Sequence, residues 1–169
     1  MTARNGFWRM HPDKGEFHLI SNKDIFQTFE IDSRGYVWLA ADLDLYKLSL
    51  SDWGKIESVH FDTLENRKVR ITKIMEAKDG TVYVSTIGNG VFSYNYDTGK
   101  WEHYTAEQNS LLSNFCYNLA ESPLNNILIT NDKGISIYSP FSHSMYSVEL
   151  GAIKGMISAC LLYTSPSPR

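Results

Sequence analysis

The stretch DGTVYVSTIGNGVFSYNYDTGKWEHY, residues 79–104, decides how the chain is read. Two alternating apolar runs, 82–86 and 91–96, flank a loop that carries Gly88 and Gly90. Asp97-Thr98-Gly99 then leads to Trp101. Alternation at period two marks short, half-buried strands. Gly, Asn and Asp at the joints tolerate the positive φ of tight hairpins. With the run just upstream, the local pattern predicts strand A over 71–77, B over 82–86, C over 91–96 and D over 101–104.

The same unit recurs. TNDKGISIY (130–138) falls on TIGNGVFSY (86–94) at an offset of 44, so that Gly134 meets Gly90 and Tyr138 meets Tyr94. DSRGYVWLAADLDLYKL (32–48) falls on it from the other side, with Gly35 on Gly80 and Trp38 on Tyr83 at 45. GFWRMHPDKGEF (6–17) falls on GVFSYNYDTGKW (90–101) at 84, about two periods. A module of 42–46 residues is the spacing of four-stranded propeller blades. The same scheme predicts strands over 25–31, 37–41, 45–50 and 56–61, and again over 115–121, 126–130, 134–138 and 144–148. The chain opens on strands C and D alone (7–10 and 16–20), and 156–158 reads as the next strand A.

The expected fold class is therefore all-β: a partial β-propeller of about three and a half four-stranded antiparallel blades. Its divisions are 1–22 as the end of a preceding blade, blades over 23–66, 67–108 and 109–150, and the start of another over 151–159. A ring closes with about four to eight blades, and closure hides sheet edges that otherwise pair with other chains. The expectation is that the isolated chain is unstable or aggregates.

Composition agrees with β structure. Ten Tyr, eight Phe and four Trp in 169 residues favour pleated, half-buried surfaces. Net charge is -3 with no run of Lys or Arg, which argues against a nucleic-acid footprint. No stretch of 18 or more apolar residues occurs. The last ten residues, CLLYTSPSPR (160–169), are encoded without a gap by TGT CTC TTA TAC ACA TCT CCG AGC CCA CGA, a string that resembles a transposase-derived sequencing adapter. They are set aside as a sequencing artefact, so the native sequence is expected to run on past Ala159 in a longer gene. Cys116 then stands alone, and a lone Cys in an apolar run reads as a small buried hydrophobe.

The modules share a form. Strand A ends in an acidic or polar turn (EIDSRGYVWLAA, EAKDGTVYVST, ESPLNNILIT), an aromatic strand C follows a short Gly loop, and a SLLSN linker (110–114) leads to the next strand A. This resembles the two-component regulator propeller repeats of the periplasmic sensor regions of hybrid histidine kinases, over about residues 6–150. The ending of strand B and the glycines after it depart from the family pattern, as VWLAA and Asp42-Leu43-Asp44 illustrate. The resemblance implies a non-catalytic sensory propeller without cofactor that senses a carbohydrate-type signal. It implies a periplasmic location as part of an inner-membrane protein. Its implied partners are an oligosaccharide ligand, the remaining blades and kinase modules, and a second copy of the parent as a homodimer.

Five histidines show no metal-ligand spacing. Turn aspartates such as Asp32, Asp79 and Asp97 read as caps on backbone amides, not as paired carboxylates for glycoside cleavage. No nucleophile elbow or phosphate loop occurs. Trp38 falls on Tyr83 in strand B and Trp101 on Phe17 in strand D, a recurrence of aromatics that argues for packing between blades, whereas Trp53, read as part of the C–D turn 51–54, is least explained by packing. If a ligand binds, propeller geometry puts it at the B–C and D–A loops of one face. Asp42, Asp44, Gly88, Asn89, Asn109, Asn114, Asn131 and Asp132 are the candidates, polar and amide-rich as a hydroxyl-bearing ligand requires. A polysaccharide lyase or hydrolase and a protein-docking scaffold are the alternative readings.

Overall fold

The computed structural model describes residues 2–3, 6–11, 13–21, 26–41, 43–61 and 69–150. The expected strand over 156–158, the segment 160–169 and Asp42 lie outside the described residues. Four antiparallel sheets follow one another along the chain. The first holds β1 (Thr2–Ala3), β2 (Gly6–His11) and β3 (Glu16–Ser21); the second β4 (Phe26–Ile31), β5 (Tyr36–Ala41), β6 (Asp44–Ser49) and β7 (Asp52–Val59). The third holds β8 (Arg70–Glu76), β9 (Val82–Ile87), β10 (Val91–Asn95) and β11 (Lys100–Tyr104). The fourth holds β12 (Cys116–Glu121), β13 (Ile127–Asn131), β14 (Gly134–Ser139) and β15 (Ser144–Glu149).

Each complete sheet is a meander in which sequence neighbours pair. The innermost strands β4, β8 and β12 run beside one another, so the sheets fan out from one side. Two differences from the sequence pattern stand out. Thr2–Ala3 pairs with Phe7 and Gly6, adding a strand ahead of the two read at the start. Strand β7 begins at Asp52, so Trp53 belongs to a strand and not to a turn. A register shift at Leu48/Ser49 tightens that hairpin, with Ser49 pairing directly with Asp52.

The core consists of layers between sheets. Alternate residues of one strand enter different layers, as period two requires. Trp38 and Ala40 of β5 face the third sheet with Ile74, Val82, Val84 and Phe92, while Val37, Leu39 and Ala41 face the first with Phe7. Val82 and Val84 likewise share that layer, whereas Tyr83 joins Leu119, Ile127 and Ile129 against the fourth sheet. Strand B is thus buried on both faces, which explains its apolar run in every module.

Close approach fixes a glycine at the start of strand C. Gly90 has φ 71°, and a Cβ there would stand 2.1 Å from the Tyr104 carbonyl oxygen. Gly6 and Gly134 repeat the approach, at 2.3 and 2.2 Å from the Ser21 and Val148 carbonyl oxygens. The glycine that recurs at the start of strand C is there because strand D leaves no room for a side chain.

Candidate functional site

The B–C and D–A loops meet on one face. The amides of Gly88 and Gly90 both donate to the Asn114 carbonyl oxygen, at 2.9 and 3.0 Å, and Ile87 bridges to Phe115. Gly88, Asn89, Asn109 and Asn114 therefore form one neighbourhood. Its amide side chains hold the loops in shape. Asn114 Oδ1 accepts from the Ala106 amide at 2.8 Å, and its Nδ2 donates to both Glu107 oxygens at 3.0 Å. Those contacts hold the Glu107 carboxyl below its ordinary range, first through the Asn114 bond. Asn109 Oδ1 accepts from the Thr105 amide at 3.1 Å. The Asn89 carbonyl oxygen contacts His103 Nε2 at 2.7 Å, and the His103 ring stacks on Phe92 at 4.1 Å.

Asn131 is only 8% exposed, and its Oδ1 accepts from the Lys133 and Gly134 amides at 3.1 and 3.0 Å. It shapes the B–C turn of the fourth sheet. Asp132 beside it is exposed, and Asp44 is half-buried at the start of β6, paired with Ala41. The outward surface of this face is thus offered by Asp132, the Gly88 backbone and neighbouring peptide groups more than by amide side chains.

The opposite face, of A–B and C–D turns, carries the densest polar cluster. Asp32 is 4% exposed, and its Oδ1 accepts from the Arg34 and Tyr36 amides at 3.1 and 2.8 Å. Its Oδ2 accepts from Trp38 Nε1 at 2.8 Å and from the Tyr96 hydroxyl of the next sheet. The Lys47 ammonium sits among rings, 3.9 Å from the centre of Tyr36, 4.5 Å from Tyr96 and 4.8 Å from Trp38. Burial pushes the Lys47 amine below its ordinary range, partly offset by the Asp32 charge. Such a cation over several ring faces is favourable even when partly desolvated. The sequence signal was a lone one: Asp32 stands where the equivalent turns have Ala77 and Ser122.

Trp38 and Trp101 are packing residues, with rings 6.1 Å apart edge to face across two sheets. Cys116 is fully buried, and burial pushes its thiol up to about 12, so it cannot serve as a thiolate nucleophile at neutral pH. Among the described residues no three His, Cys, Asp or Glu side chains come together as a metal site would need.

No protein-family model and no curated protein sequence matches the chain. Solved structures do. The extracellular domain of BT4673 from B. thetaiotaomicron, assigned to a one-component system in one structure and to a hybrid two-component system in another, is similar over 92% of this chain, with TM-score 0.72 and 15% identity. The extracellular domain of BT3049 from the same organism, assigned to a hybrid two-component system, is similar over 86%, with TM-score 0.63 and 15% identity. Virginiamycin B lyase from Staphylococcus aureus is similar over 87%, with TM-score 0.67 and 17% identity. The fold is a β-propeller. Among the described residues, three four-stranded blades and one three-stranded piece agree with the expected partial propeller. The chain spans about a fifth of the BT4673 and BT3049 domains, 20% and 21%, and 49% of the lyase.

Proposed function

We propose that this chain is part of the sensory propeller of a two-component sensor, outside the cytoplasm, and that it binds its signal without transforming it. The observation that carries the reading is the likeness to the extracellular domain of BT4673 across 92% of the chain. The signal class is carbohydrate: peptide groups and the Asp132 carboxylate on the loop face offer donors and acceptors to hydroxyls. Asp42, Asp44, Gly88, Asn89, Asn109, Asn114, Asn131 and Asp132 are its proposed surroundings. Their roles divide: exposed Asp132 and the backbone at Gly88 touch ligand, while Asn109, Asn114 and Asn131 hold the loops. The remaining blades complete the ring, kinase modules in an inner-membrane parent receive the signal, and the parent works as a homodimer.

The test is the full-length protein in membranes, with kinase autophosphorylation measured against a panel of oligosaccharides. One oligosaccharide class should change the rate. A gene whose continuation encodes no membrane span and no kinase core would sink the reading. A second reading, a propeller lyase, draws on the likeness to virginiamycin B lyase, and cleavage of the oligosaccharides by the same preparation would favour it. Binding of a protein but no glycan would favour a docking scaffold.

A further inference from the structure

A cleft of about 370 Å3 opens between the A–B turns of the third and fourth blades, lined by Asp79, Glu121, Leu124, Asn125, Pro140 and Phe141 among others. One interface earlier, the chain itself shows what such a place holds. The A–B turns superpose by their hydrogen bonds: the Gly35 amide donates to Asp32 as the Gly80 amide does to Ala77 and the Asn125 amide to Ser122. Arg34, Asp79 and Leu124 are therefore equivalent, as are Glu76 and Glu121. Between the second and third blades the Arg34 guanidinium donates to the Gly80 carbonyl oxygen at 3.2 Å, faces Glu76 at 3.7 Å and lies 4.3 Å over the Tyr96 ring.

Between the third and fourth blades the acid and the turn carbonyl recur, while the guanidinium and the ring beneath it do not. Glu121 stands for Glu76 and Asn125 for Gly80, whose carbonyl oxygen receives Arg34. Pro140 stands for Tyr96, with Phe141 next to it. Asp79 replaces Arg34 itself, so a carboxylate takes the place of a guanidinium. One oxygen of each acid is used: Asp79 Oδ1 accepts from the Thr81 amide and Glu121 Oε2 from the Lys78 amide. Lys78 Nζ bonds Asn125 Oδ1 at 3.2 Å. Phe141 and Leu124 add exposed apolar surface at the edge of the cleft.

We infer that this cleft binds a small molecule bearing a guanidinium group. The planar cation would take the place that the Arg34 guanidinium holds one interface earlier, facing Glu121 as Arg34 faces Glu76, with Asp79 as a second acceptor for its fork of N–H donors. The volume lies at the lower end of the roughly 300–1,000 Å3 typical of small-ligand sites, which suits one such group and its aliphatic stem. The site is on the face opposite the proposed carbohydrate loops, so a failed oligosaccharide assay leaves it standing.

Calorimetric titration of the full-length protein with agmatine tests it, with ethylguanidinium, butylamine and an arginine-containing peptide as comparators. Agmatine and ethylguanidinium should bind, and butylamine at least tenfold more weakly. Asp79→Arg supplies the chain's own guanidinium and should weaken agmatine at least tenfold without lowering the thermal midpoint. Glu121→Gln, which keeps an oxygen for the Lys78 amide, should weaken it about tenfold. Unchanged affinity in Asp79→Arg, no binding of agmatine at millimolar concentration, butylamine binding as well as agmatine, or binding of the peptide alone would each overturn the inference.

Discussion

The Tyr96 hydroxyl reaches out of the third blade to donate to Asp32 in the second, across 64 residues of sequence. Asp32 also holds Trp38 Nε1 and two backbone amides, so one buried carboxylate ties a turn, a core indole and the neighbouring blade together. The two partners are not equivalent in cost. Tyr96→Phe removes one donor and leaves the carboxylate with three, an expected loss of about 1–2 kcal/mol. Asp32→Ala strands a buried indole N–H and the Tyr96 hydroxyl together and removes the counter-charge of Lys47, an expected loss of about 3–5 kcal/mol. Denaturant unfolding of the full-length protein measures both; equal losses would show that Asp32 acts through Tyr96 alone.

Two glycines in one loop separate conformation from space. Gly88 has φ 90° with nothing within 4 Å of an added Cβ, whereas Gly90 has φ 71° with the Tyr104 carbonyl oxygen at 2.1 Å. Gly88→Ala should cost about 1 kcal/mol, the strain of a left-handed backbone. Gly90→Ala adds a clash with strand D that cannot be relieved without parting β10 from β11, and it should cost at least about 3 kcal/mol. The difference between their unfolding midpoints is the quantity to measure.

The repeat made the fold legible, because each glycine, turn aspartate and strand B run answers to a constraint local to one blade. Period and turn chemistry gave strand ends within a few residues, and the β7 start failed only because a bulge tightened the 49–52 hairpin. The candidate site was less legible. Asn109, Asn114 and Asn131 look alike in sequence, and only the folded loops reveal that each amide is used within its own loop. Asp32 was legible as a turn cap but not as an interblade tie, since Tyr96 lies a module and a half away. The contrast between Arg34 and Asp79 is visible in the alignment, but its meaning needs the Glu76–Arg34–Tyr96 geometry.

Alkaline pH should weaken the blade packing. Burial raises the phenols of Tyr83, Tyr96 and Tyr104 above the ordinary tyrosine range, reinforced for Tyr96 by its bond to Asp32 and for Tyr104 by its bond to Glu102. Burial likewise lifts Cys116 from 9.0 to about 12. Unfolding lets these groups ionise, so their contribution is full below about pH 9 and declines as pH rises through 9–12. Lys47 has the opposite sign, since its lowered value lets the folded chain release a proton first. Tyr138 and Lys55 are raised as well, and these six raised groups against one lowered predict a net loss of stability. Unfolding midpoints across this range, with tyrosinate absorbance as the second readout, check it, and Tyr104→Phe should flatten the decline.

The loop face predicts a split between stability and affinity. Asn131 accepts within the B–C turn, and replacing it by Ala orphans the buried Gly134 amide and removes the partner of the Lys133 amide, a loss of about 1–3 kcal/mol. Asn114→Ala similarly frees the Ala106 amide and should cost about 1 kcal/mol. Asp132 is exposed, and Asp132→Ala should leave the unfolding midpoint within about 0.5 kcal/mol of the parent. A carbohydrate held at this face would respond in the reverse order, losing affinity first to Asp132→Ala, because a ligand can use only the groups the loops have not already used. Glycan affinity and unfolding midpoint measured on the same three full-length variants separate the two effects. Affinity that follows stability across all three would place the ligand elsewhere on the ring.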